Sequence, residues 1–169
     1  TLYVMIVLGL TMGMQPIVGY NFGAQKIDRV KQTLRLGIIS GVVITSSGFV
    51  ICEFFPHAVS ALFTDSDELI DLAVGGIRLT VLMFPFVGAQ IVIGNFFQSI
   101  GKAKVSIFLS LTRQLLYLLP CLLLFPNWWG LEGIWISMPV SDALAFITAV
   151  ISLMIYIKKV SKEHPIADK

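Results

Sequence analysis

The chain is 169 residues long, 56% apolar and 13% charged, with a formal net charge of +2. Soluble domains carry roughly 25% charged residues, and one soluble core of this length cannot hide so much apolar side chain, so the excess must face lipid. The small net charge gives no basis for nucleic acid as a partner, and stretches such as VLMFPFVGAQIVIG lack the polar stripe of a soluble helical bundle.

No charge occurs from Thr1 to Gln25, a run longer than the ~20 residues that cross ~30 Å of hydrocarbon at ~1.5 Å per residue. A first membrane helix is expected over 2–21. It carries Gln15, Pro16 and Asn21 among Gly13, Gly19 and Gly23. Pro16 removes a backbone hydrogen bond, and Gly13 and Gly19 let neighbouring backbones approach. Gln15 is a candidate for contact with substrate, and Asn21 reads as a helix-end cap. The run has no basic leader, no cleavage pattern and no initiator Met, so a piece of a longer protein is expected, not a secretory signal.

A basic loop with Lys26, Arg29, Lys31 and Arg35 precedes a second helix, 34–55, which holds the clean run Leu36 to Cys52 and ends near Glu53. The next loop has no Lys or Arg and carries Asp65, Asp67, Glu68 and Asp71; Asp65 and Glu68 have capping-box spacing. A third helix, 69–97, contains most of the charge-free run Leu79 to Gly101. Its amides Gln90 and Asn95 must be satisfied by a bound molecule or by another helix, and either reading fits. Gln98 sits nearer the surface. Met83, Phe84 and Phe86 suit an apolar wall toward substrate, lipid or core.

After Lys102 and Lys104 a fourth helix is expected over 104–125, with Arg113 and with Tyr117 as a further substrate candidate. The loop PNWWGLE puts Trp128 and Trp129 in an aromatic belt. A fifth helix, 132–157, opens at Glu132 and carries Asp142, and a basic tail, 158–169, holds Lys158, Lys159, Lys162 and Lys169. Pro85, Pro120 and Pro139 are kink candidates. These segments must be helices, because lipid offers no partner to exposed backbone and the runs are too long for barrel strands. The fold class expected is an all-α membrane protein, a single bundle of about five spans over 1–169.

Of the twelve basic residues, all but Arg78 and Arg113 fall in alternate loops or the tail. The positive-inside rule makes that side cytoplasmic, so the carboxy terminus lies inside a multi-pass protein of the cell (inner) membrane. Asp142, Arg78 and Arg113 are intramembrane charge or gating candidates. A rise of ~1.5 Å per residue sets Asp142 about 15 Å and Arg78 about 10 Å from the outer surface, with Arg113 about 13 Å from the inner one. Depth favours a pair of Asp142 with Arg78; a tilted helix keeps Arg113 open as the partner, or Arg113 snorkels inward. Cys52 and Cys121 read as reduced packing residues, and His57 and His164 lack ligand spacing, so no metal site is expected. No nucleophile–base spacing or phosphate loop occurs, which leaves no catalytic residue and no enzyme.

Four stretches together carry a family resemblance: QPIVGYNFGA before the basic loop, GNFFQSIGKAK, LTRQLLYLLPCLLL and GLEGIWISMPVSDALAFITAVI. In this order they resemble the multidrug and toxic compound extrusion (MATE) transporters, over nearly the whole chain. The resemblance implies helices eight to twelve of a twelve-helix antiporter built from two six-helix lobes, that is, most of the carboxy-terminal lobe, with the amino-terminal lobe as a missing partner. It implies export of small-molecule drugs or organic cations in exchange for Na⁺ or H⁺ by alternating access, with that ion and membrane lipids but no cofactor. Some members carry an acid near the position of Ala89, and no carboxylate lies between Arg78 and Gly101 here, so the ion site is expected in the other lobe. The rivals are a flippase for lipid-linked saccharides of the same superfamily, which calls for a strongly cationic cavity, and a non-transporting membrane assembly subunit.

Overall fold

The computed structural model describes residues 2–61, 64 and 66–163, all helix and short turns. In chain order the elements are α1 (Leu2–Gly23), α2 (Ile27–Phe54), the short α3 (Pro56–Ala61), α4 (Asp67–Val81), α5 (Phe84–Ser99), α6 (Ala103–Leu111), a π-helical segment (Thr112–Leu118) and α7 (Leu119–Glu163). Asp65 of the expected capping box, and His164 and Lys169 of the tail, lie outside the described residues. At the start of α4, Ser66 is the N-cap and makes no side-chain capping bond.

The third span is two helices, not the single helix expected over 69–97. α4 and α5 meet at a 49° bend, and Pro85 sits in the first turn of α5. Pro85 has no N–H to give, and its ring opposes the carbonyl four residues back, so the helix stops at Val81 and restarts at Phe84. Pro120 acts differently. The turn before it opens into the π segment, where the Leu119 N–H bonds the Gln114 carbonyl five residues back. Pro16 and Pro139 lie inside continuous helix.

α7 is broken at Gly130, whose φ of 57° and ψ of −132° suit only glycine. The chain reverses there: a Cβ on Gly133 would run into the Phe125 backbone. Among the described residues, three helical stretches are long and apolar enough to cross a membrane, and the bent pair makes a fourth. One of the three is the 58-residue stretch Ala103–Val160, which Gly130 divides into two antiparallel legs. Only 22% of the apolar window of α1 and 28% of that of α2 is buried, so most of their apolar surface points outward. Ile39 and Val43 of α2 are exposed in this way, as are Leu116 of the π segment and Leu123 and Ile155 of α7.

α1 and α5 end alike. The Lys26 N–H closes on the Asn21 carbonyl at 2.9 Å and the Lys102 N–H on the Phe97 carbonyl at 2.8 Å, with Gln25 and Gly101 in the left-handed region. Both turns therefore deliver a lysine at the same end of the bundle. The core is built from α1, α2, α5 and α7, with Val18, Leu34, Val92, Phe97 and Ala149 among its members. Its tightest seam joins α2 to α5, where any Cβ on Gly88 would collide with the Gly41 carbonyl and the Thr45 hydroxyl. Such backbone approach is how membrane helices gain dispersion contact without help from water. Gly19 packs against the Ser99 carbonyl as expected of a small residue, whereas Gly13 has open space beside it.

Candidate functional site

A polar region interrupts the apolar bundle. A cavity of ≈360 Å³ lies between α5 and α6, lined by Gln90, Asn95 and Gln98 on one side and Ser106, Ser110, Arg113 and Gln114 on the other. A neighbouring depression of ≈340 Å³ shares Gln98, Ser106 and Ser110. Gln90, Gly94 and Gln98 recur every four residues on α5, and Ser106, Ser110 and Gln114 do so across α6 into the π segment, so each set forms one ridge. Two polar ridges face each other across the gap.

Several polar groups at the cavity are tied down. Gln15 Nε2 donates to Asn95 Oδ1 at 3.4 Å, and Asn95 Nδ2 donates to the Ile91 carbonyl at 3.0 Å. Gln90 is buried, and its Oε1 has no hydrogen-bond partner among the described residues. A buried acceptor held this way is costly unless something donates to it. Arg113 brings both Nε, at 2.9 Å, and Nη2, at 2.8 Å, to a single oxygen of the buried Asp142 on the last leg. The ion pair is charge-assisted at both contacts.

The structure thus brings together Gln15, Gln90, Asn95, Arg113 and Asp142, and it moves two other candidates away. Arg78 does not pair with Asp142. α4 leans against α2 and α7, and Arg78 sits 3.9 Å from Glu53 of α2, with both side chains substantially exposed. Depth alone misjudged its partner, because α4 leans against α2 and a count of residues along one axis carries no lateral position. Arg113 takes Asp142 in its stead and does not snorkel to the surface. Tyr117 is turned from the cavity: its hydroxyl shares a 2.8 Å hydrogen bond with Thr148 on the last leg. Asn21 bonds back to the Ile17 carbonyl at 2.8 Å, within its own helix. Phe86 packs on Phe146 with ring centres 5.0 Å apart. Ser106, Ser110 and Gln114 went unnoticed in the sequence, although their four-residue spacing was a readable signal.

A helical bundle with outward-facing apolar surfaces, a broken span and paired polar ridges around a cavity defines the class: an α-helical, multi-pass membrane protein. The family model MatE matches residues 1–123. The chain belongs to the MatE family, a family of transporters and not of enzymes.

Among curated proteins, the multidrug export protein MepA of Staphylococcus aureus (strain MSSA476) is 24% identical over 157 residues, which is 90% of this chain and 33% of that protein. MepA of Staphylococcus haemolyticus is 24% identical over 140 residues, covering 83% and 30%. Among solved structures, the MATE multidrug transporter DinF-BH, solved as a ligand complex, is 37% identical with a TM-score of 0.84, covering 90% of this chain and 34% of that one. The inward-facing conformation of a multidrug resistance MATE family transporter shares the fold, with a TM-score of 0.88 at 19% identity and coverage of 95% and 38%. The chain spans about a third of the length of the relatives it matches.

Proposed function

We propose that this chain is most of one lobe, the carboxy-terminal one, of a secondary active multidrug exporter. The protein moves cationic or amphipathic compounds out of the cell in exchange for Na⁺ or H⁺, its two lobes alternating access to a shared cavity in the cell membrane. The observation that carries this reading is the α5–α6 cavity, lined by the neutral amides Gln90, Asn95 and Gln98. Neutral amides suit many cations in turn, since they accept hydrogen bonds without fixing one charge geometry. The relatives named as multidrug export proteins support the same substrate class.

The arrangement also bears on the coupling ion. α5 has no carboxylate, and Asp142 is already engaged by Arg113. The acid that exchanges Na⁺ or H⁺ therefore belongs to the part of the transporter outside this chain. A flippase for anionic lipid-linked sugars fits less well, because the one arginine lining the cavity is offset by Asp142.

The test is ethidium efflux by the full-length protein, with the Na⁺ and pH gradients varied separately. Efflux should follow one of the two gradients, and Gln90→Ala with Asn95→Ala should lower it roughly tenfold, the worth of about one hydrogen bond to a charged group. Efflux that persists after both gradients are collapsed would rule out the antiport reading.

A further inference from the structure

A second and larger cavity, ≈740 Å³, opens at the end of the bundle where α1 turns into α2, α5 turns into α6, and α7 leaves the membrane. Its floor is apolar and aromatic, with Phe97, Phe108 and Ile155, and its rim carries Lys102, Lys104 and Lys159. None of its lining residues is acidic. Lys102 and Lys104 are exposed, and among the described residues neither has an ion-pair partner.

Lysines at helix ends are ordinary in a membrane protein. What sets these apart is that separate elements, the α5–α6 turn with the start of α6 and the end of α7, bring ammonium groups around one greasy recess. A cationic drug would meet like charges there. A free inorganic anion would satisfy the rim and leave the aromatic floor wet. An anionic head joined to a hydrocarbon tail satisfies both, and basic recesses between helices at a membrane surface take such headgroups. We propose that this cavity binds an anionic phospholipid, its phosphate on Lys102 and Lys104 and one acyl chain along Phe97, Phe108 and Ile155. This inference needs the chain to span a bilayer, and it depends neither on drug efflux nor on which side is cytoplasmic.

A tryptophan placed in the floor, Phe108→Trp, reads occupancy directly. The full-length protein is reconstituted in phosphatidylcholine vesicles doped with brominated phosphatidylglycerol or brominated phosphatidylcholine. Quenching is taken as the difference from protein lacking the new tryptophan. The brominated anionic lipid is expected to quench preferentially, with roughly a fivefold preference per contacting lysine. Lys102→Gln with Lys104→Gln should abolish the preference, and Lys102→Arg with Lys104→Arg should retain it, which separates lost charge from lost fold.

Lys26→Gln with Arg29→Gln removes as much charge at the same end outside the cavity, and should leave the preference intact. Equal quenching by the two lipids would overturn the proposal. So would an equal loss in the Lys26/Arg29 variant, which means a diffuse field, or displacement by soluble glycerol phosphate, which means a free-anion site. Quenching seen only after deletion of residues 161–169 would make the chain's own tail the occupant and would equally overturn it. Both leaflets carry the probe, so an error in sidedness leaves the outcome unchanged.

Discussion

At the scale of single residues, Arg113 and Asp142 form a doubly contacted, largely buried ion pair. Asp142 is buried, with its side chain 12% exposed, and Arg113 is at 33%. Removing one partner strands the other charge in a medium that solvates it poorly, which costs about 3 kcal/mol for such pairs, while removing both is far milder. Arg113→Leu alone should therefore destabilise the detergent-solubilised protein more than Arg113→Leu with Asp142→Leu, measured as thermal unfolding midpoints. Equal destabilisation would mean the two charges do not depend on each other. The sequence exposed these residues as charges inside apolar runs, and it also exposed Gln15, Gln90 and Asn95. It did not disclose who pairs with whom. Partner choice depends on how spans lean, and a count of residues along a straight axis carries no lean.

At the scale of elements, glycine and proline decide the geometry. Gly88 and Gly41 let α5 lie directly on α2, and any side chain at Gly88 meets backbone, which has nowhere to go. Gly88→Leu should abolish monodisperse protein in fluorescence-detected size exclusion, whereas Gly13→Leu, beside open space in this chain, should not do so through the packing described. Survival of Gly88→Leu at wild-type yield would contradict the seam. The positions of the helices were legible because apolar runs bounded by charge leave few alternatives. Pro85 and Pro120 stood out as kink candidates, but the form of each distortion, a break at residues 82–83 and a π turn before Pro120, was not legible. Both follow from proline, but a mid-helix proline can stop a helix, widen its turn or be accommodated, as Pro85, Pro120 and Pro139 respectively do here. Which outcome prevails depends on the neighbours that repair the freed carbonyl.

At the scale of the whole molecule, lysine-bearing turns share one end and the exposed Trp128 and Trp129 flank the reversal at Gly130. A membrane-impermeant maleimide should therefore label Lys26→Cys and Lys102→Cys from the same side and Asn127→Cys from the other, in a protein with Cys52 and Cys121 replaced by serine. Labelling of Lys26 and Lys102 from opposite sides would dismantle the arrangement of spans. The polar ridges were half legible: α5 announced itself through two amides, while the serines of α6 are small and common in membrane helices, so nothing but their spacing marked them. The central claim is that these ridges face the water-filled path of the substrate. Cysteines at Gln98, Ser110 and Gln114 should react rapidly with a charged methanethiosulfonate and be protected at least several-fold by ethidium, while cysteines at Leu116 and Ile147, exposed apolar positions off the ridges, stay inert. Slow reaction along the ridges, or reaction that ethidium leaves unchanged, would contradict that claim.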